Sequence, residues 1–201
     1  MKFIIVSLIV LAGVFSAPTF AAQPDFYAGF RDVPASVTVF HYKVPAATLR
    51  AEFMAGMDKA MQQAKTEHKT VTEPFFVLPQ MYVFDKDGHE IFARAGETKD
   101  LISRLDHAFT ALPRIHGGDT LKQRFANLVP DGKPSAIAPV LTGKSTLLEY
   151  WAPWCEYCFV ERDQLLTYFR KHRQLAVNWI TVDADMAKAT GLPVSTNSSR
   201  E

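Results

Sequence analysis

The sequence predicts an α/β protein built on a central mixed sheet, and three observations carry that expectation. Short β-branched and aromatic runs alternate with amphipathic stretches, the arrangement of a chain that layers helices on a sheet. Residues 145–182 read strand, helix, strand, the order of a right-handed parallel βαβ unit. Residues 75–94 read as two strands around the turn residues Asp85-Lys-Asp-Gly88, which adds an antiparallel hairpin.

Length and charge narrow the classes. The 201 residues suit one well-buried domain with appendages, and two full domains would be a squeeze. The formal charge is +1 with no long run of one sign, so there is no basic surface to recruit nucleic acid through its phosphates. Met1-Lys2, an uncharged run over 3–15 and small residues up to Ala22 read as a secretory signal over 1–22, with cleavage after Ala21 or Ala22. That predicts a periplasmic or secreted protein. The alternative is an uncleaved N-terminal membrane tether, because the apolar run can be stretched through Ala22. Both put the body of the chain outside the cytoplasm.

The N-terminal half, 23–112, opens with a Pro- and aromatic-containing lead (23–34) and a strand at 36–42. A helix follows over 46–66, with Leu49, Phe53, Met57, Ala60, Met61 and Ala64 at helical spacing, its methionines read as core filler. After the hairpin comes an amphipathic helix over 98–112, with Thr98 as candidate cap and Leu101, Ile102, Leu105, Ala108, Phe109 and Leu112 on the apolar side. Residues 113–142 form a connecting segment around a short helical piece at 120–128. The unit 143–193 holds a strand at 145–151, a helix at 157–172 and a strand at 176–182. From Asp183 the chain turns polar and is expected to fray, with 194–201 a disordered tail.

Two cysteines, Cys155 and Cys158, are the whole complement, three apart between an apolar strand and a helix start. So short a loop is a poor staple, because the stabilisation from loop closure grows with loop size. The pair therefore reads as chemical. A thiol on the first turn of a helix faces unsatisfied N–H groups and the positive end of the helix dipole, which favour thiolate over thiol. Cys155 is placed to attack, and Cys158, one turn further in, to resolve the mixed disulfide that results. Exchange of this kind needs no cofactor. A zinc site would need two further ligands at short spacing, and the histidines at 41, 68, 89, 107, 116 and 172 supply no such pair. A c-type haem would need His directly after the second Cys, where Phe159 stands. No metal is expected.

With the strand, Trp151, Ala152, Trp154 and both cysteines in register, residues 145–183 resemble the active-site βαβ unit of the thioredoxin superfamily. The lead-in Gly143-Lys-Ser-Thr-Leu-Leu-Glu-Tyr-Trp-Ala-Pro-Trp-Cys is most similar to extracytoplasmic, often membrane-tethered thioredoxin-like reductases. The resemblance implies a thioredoxin-like three-layer fold. It also implies a buried carboxylate six residues before the first Cys, the position of Glu149, to take the proton of Cys158. Trp154 and a cis-proline opposite the cysteines would meet the substrate peptide.

The sequence departs from the family's order here. After Val182 only Pro193 follows at about the right place, while the proline strand, hairpin and last helix of such a fold have counterparts upstream, with Pro79 as the second candidate. Two arrangements stay open. In one the chain is effectively permuted, and the N-terminal half completes the sheet carrying Cys155. In the other, 36–112 is a degenerate thioredoxin-like domain and a second domain is incomplete at the C-terminus. An open βαβ unit would leave strand edges uncovered, which favours the first.

The expected function is a thiol-disulfide oxidoreductase acting on protein disulfides, with a membrane reductase as implied electron donor. Glu156 beside Cys155 opposes thiolate formation, which points to a reductant or isomerase rather than a strong oxidase. The alternatives are a non-catalytic thioredoxin-like binding or assembly module, and a soft-metal chaperone using both thiolates.

Overall fold

A computed structural model describes residues 25–67, 77–97, 99–111, 113, 115, 117–132 and 143–191. The signal over 1–22, the candidate cap Thr98, Leu112, Pro193 and the tail over 194–201 lie outside the described residues. A 3-10 helix over Phe26–Asp32 leads into β1 (Val37–Lys43), α1 (Ala46–Glu67), β2 (Gln80–Phe84), β3 (Glu90–Ala95) and α2 (Leu101–Ala111). Then come α3 (Leu121–Phe125), β4 (Val129–Pro130), β5 (Ser145–Trp151), α4 (Glu156–Lys171), β6 (Val177–Asp183) and α5 (Met186–Thr190). None of the described helices is long and apolar enough to cross a membrane.

The six strands among the described residues lie in one mixed sheet, in the order β3-β2-β5-β6-β1-β4. β5, β6 and β1 run parallel, while β2 pairs antiparallel with both β3 and β5. The N-terminal half thus supplies three strands to the sheet that carries the cysteines, the hairpin on one side of the βαβ unit and β1 on the other. β5 and β6 are buried along almost their whole length because both faces of the sheet are covered there. On one face Leu147 and Trp179 pack with Leu101 and Leu105 of α2 and Leu165 and Phe169 of α4. On the other, Leu148 and Ile180 pack with Leu49 of α1, Leu121 of α3 and Met186 of α5. Alternation along each strand sends its neighbours to opposite layers.

Three expectations are corrected. The segment after Asp183 does not start a frayed tail: Asp185 accepts from the Lys188 amide, α5 follows, and Gly191 ends it at φ 70. Arg50 of α1 holds that helix through the Ala189 carbonyl, at 3.0 and 2.6 Å. Five residues are too few to show a periodic signal, although the Asp and Gly that bound them are ordinary cap residues. Second, the methionines of α1 are not core filler throughout, since Met54 and Met61 are 45% and 48% exposed and only Leu49 of that helix is buried. Twenty-two helical residues span about 33 Å, whereas a seven-residue strand covers about 23 Å, so the C-terminal part of α1, with Met61, overruns the sheet, while Met54 falls off the face that carries Leu49, Phe53 and Met57. Third, Ile102 is exposed, and α2 buries only Leu101, Leu105 and Ala108.

This packing predicts a contrast. Leu147→Ala should lower unfolding free energy by about 2–5 kcal/mol, whereas Met61→Ala should change it by no more than about 0.5 kcal/mol. Urea denaturation of both variants measures it, and equal losses would contradict the assignment of α1 to the surface.

Candidate functional site

The chain leaves β5 at Trp151 and turns through Ala152-Pro153, and the Cys155 amide donates to the Ala152 carbonyl at 3.0 Å. That turn sets Cys155 as the N-cap of α4, in extended backbone at φ −88, ψ 92. Its Sγ accepts from the Cys158 amide at 3.2 Å. The sulfur therefore occupies the place where an Asp or Ser oxygen usually satisfies a helix's open N–H groups. Cys155 and Cys158 are joined in a disulfide with Cα atoms 5.3 Å apart, Cys155 slightly exposed and Cys158 fully buried.

Aromatic rings wall the pair. Trp151 stacks on Phe26 at 3.9 Å between centroids, and Phe159 meets Phe26 edge-on at 5.4 Å. The Phe26 carbonyl accepts from Arg162 Nη1 of α4 at 2.6 Å, which pins the lead segment over this side of the site. Gly29 leaves room for the Arg162 side chain: a Cβ there would come within 2.6 Å of Arg162 Nε and displace the guanidinium. The lead's place in the site is not visible in its residue pattern, whose one signal is the aromatic cluster Phe26, Tyr27 and Phe30. On the other side Trp154, half-buried, donates from Nε1 to Asp185 at 3.1 Å, so α5 fixes the ring beside Cys155.

Among the two candidate prolines, Pro79 lies at this end of the sheet and Pro193 is outside the described residues. The Leu78-Pro79 bond is cis. Pro79 precedes the Gln80–Tyr150 pair that opens the β2–β5 ladder, its carbonyl accepts from the Gly96 amide at 2.8 Å, and Leu78 packs against the cysteine cluster.

Glu149 points inward, on the face covered by α4, and is fully buried. Its Oε2 accepts from Trp179 Nε1 of β6 at 2.9 Å, while Oε1 has no hydrogen-bond partner among the described residues. Burial pushes this carboxyl up from 4.5 to about 8, against the opposing pull of the Trp179 N–H, Arg94 and Arg162. Neither Trp179 nor Arg94 was legible as its neighbour, since both reach it across strand pairings that only the folded sheet defines.

Among the described residues, the group of side chains spaced to hold a cation is Asp85, Asp87 and His89. It sits on the β2–β3 turn, at the far end of β2 from Pro79, and Asp85 Oδ1 already accepts from the Asp87 and His89 amides at 2.9 Å each. The chain matches no family model, no curated protein and no solved structure. The arrangement itself holds a sulfur pair at a helix start and, two residues before the end of the strand that leads into it, a buried carboxyl whose burial raises its pKa.

A pH signature follows. The carboxyl of Glu149 holds its proton more tightly folded than unfolded, so its contribution to stability is full below about pH 4.5 and is lost as pH rises towards about 8. Stability of the oxidised protein should fall by a few kcal/mol across that window, and Glu149→Gln should flatten the fall. Denaturant titrations at several pH values measure this; an unchanged slope in the variant would contradict it.

Proposed function

We propose that this chain is an exported thioredoxin-like thiol-disulfide oxidoreductase that reduces or isomerises disulfides of client proteins. The observation that carries the reading is Cys155 as the N-cap of α4, with its sulfur taking an amide hydrogen bond of the helix start. Two further features support it. The strand order β3-β2-β5-β6 sets an antiparallel hairpin beside a parallel βαβ unit, as in a thioredoxin fold entered at a different point of the chain. Glu149 is the buried carboxyl that the resemblance calls for.

In the reduced protein the Cys155 thiolate attacks one sulfur of a client disulfide. A mixed disulfide forms, and the other client sulfur departs as thiolate. Cys158 then passes its proton to the ionised Glu149 and attacks Cys155 Sγ, which re-forms the internal disulfide. The second client sulfur leaves as thiolate, so two electrons have moved from the cysteine pair to the client. An external dithiol donor restores the reduced state, and for an exported protein a membrane reductase fits that role. Trp154 and the Leu78-Pro79 segment border the cysteines where a client strand would lie. Glu156, exposed on the first turn of α4, places a carboxylate beside the attacking sulfur and favours the reducing direction.

Insulin reduction by the purified protein with dithiothreitol as donor is the direct assay. Turnover is expected for the native chain and should fall to the uncatalysed rate in Cys155→Ser. Equal rates in the two proteins would overturn the proposal, and absence of turnover with tight retention of a soft metal ion would point to the chaperone alternative.

A further inference from the structure

The face of the sheet under α4 buries more charge than disulfide exchange alone requires. Arg94 of β3 and Glu161 of α4 form an ion pair with side chains only 3% and 5% exposed, and Arg94 Nη1 also donates to the Gly96 carbonyl. Replacing such a pair by well-packed apolar groups is often neutral or stabilising, so its presence is a weak argument for stability and invites another explanation. The register supplies one. Arg94 pairs with Met81 on β2, and Met81 pairs with Glu149 on β5, so the three stand in one row across the sheet. Adjacent strands lie about 4.8 Å apart, which leaves about 10 Å between the backbones of Arg94 and Glu149, within the combined reach of the two side chains.

We infer that Arg94 is a positioning residue for Glu149, supplying the countercharge that lets this carboxylate form inside the sheet, with Glu161 as the counterweight that neutralises Arg94 while Glu149 is protonated. The inference rests on the proposed role of Glu149 as proton acceptor. The remaining surroundings of the carboxyl fit it. Trp179 and Thr181 of β6 offer only neutral polar groups, and His41 of β1 bonds to Thr181 Oγ1 at 2.7 Å. Arg162 of α4 is committed to the Phe26 carbonyl and to Asp163. Arg104 of α2 lies over the Phe92 ring and opposes the charge of Arg94. Burial lowers the Arg94 guanidinium to about 10, and the charge of Glu149 is what pulls it back up. Arg94 Nε and Glu149 Oε1 are both buried without a hydrogen-bond partner among the described residues.

Chemically, the resolving step moves one proton from Cys158 to the Glu149 carboxylate as the new sulfur–sulfur bond forms and the client thiolate leaves. Arg94 neither gives nor takes a proton. Its effect is to set the fraction of Glu149 that is ionised and ready.

The test mixes reduced protein rapidly with an aromatic disulfide whose released thiol is coloured, and follows the second, resolving phase against pH. Arg94→Met should move the midpoint of that profile up by about one unit and slow the phase about tenfold at neutral pH. Glu161→Gln should move it down, Arg94→Lys should stay near the native profile, and Arg94→Met combined with Glu161→Met serves as the well-packed control for folding. In a Glu149→Gln background Arg94→Met should have no further effect. Shifts of the same sign in Arg94→Met and Glu161→Gln, or no shift in either while Glu149→Gln slows the phase, would overturn this inference alone. An unslowed Glu149→Gln protein would instead remove the proposed role of Glu149 itself.

Discussion

The antiparallel pairing of β2 with β5 is the contact on which the rest of the molecule depends. Gln80 to Phe84 run against Tyr150 to Thr146, and this single ladder joins the N-terminal hairpin to the strand that ends at the cysteines. Without it β5 would be an apolar edge, open on one side and prone to pair with other chains. With it, β5 becomes an interior strand, α2 gains a sheet face to cover, and three separate parts of the sequence meet at one end of the sheet. The turn after Trp151, the Leu78-Pro79 segment and the row linking Arg94 to Glu149 all follow from that register.

The same pairing explains why an ionisable group can sit inside the sheet. Glu149 lies between β2 and β6, each supplying a neighbour in register, and α4 closes over it. A carboxyl so enclosed stays neutral unless something nearby rewards its charge, and the indole of Trp179 supplies a single hydrogen bond. Cys155 is arranged on the opposite logic. Its sulfur sits at the rim, where the helix start offers an amide hydrogen bond and the favourable end of the helix dipole. The two groups thus differ in their surroundings, a carboxyl enclosed within the sheet and a sulfur at an open helix start.

Much of this was legible in the residues. β1 and β6 announce themselves by β-branched and aromatic residues and β5 by Leu147, Leu148, Tyr150 and Trp151, the β2–β3 turn carries Asp and Gly, and the spacing of Trp151, Trp154, Cys155 and Cys158 marks a strand-to-helix junction. Other parts depend on contacts distant in sequence. That the lead segment caps the site turns on a carbonyl bond from Phe26 to Arg162, 136 positions away. That α1 leaves Met61 in solvent, although it continues the Leu49, Phe53 and Met57 stripe, turns on the length of the strands beneath the helix rather than on its periodicity. α5 was hidden by its brevity. The partners of Glu149 were hidden by register, which sequence pattern constrains only through which face of each strand is apolar.

The proposed chemistry requires that the helix start favour the thiolate form of Cys155. The most direct measurement is the ultraviolet absorbance of the thiolate against pH in a Cys158→Ser protein, which leaves Cys155 as the lone titrating sulfur. A midpoint well below ~8.5, the value of a free cysteine, is expected. A midpoint at or above that value would mean that the position confers no activation, and would contradict the proposed role of Cys155 as the attacking sulfur.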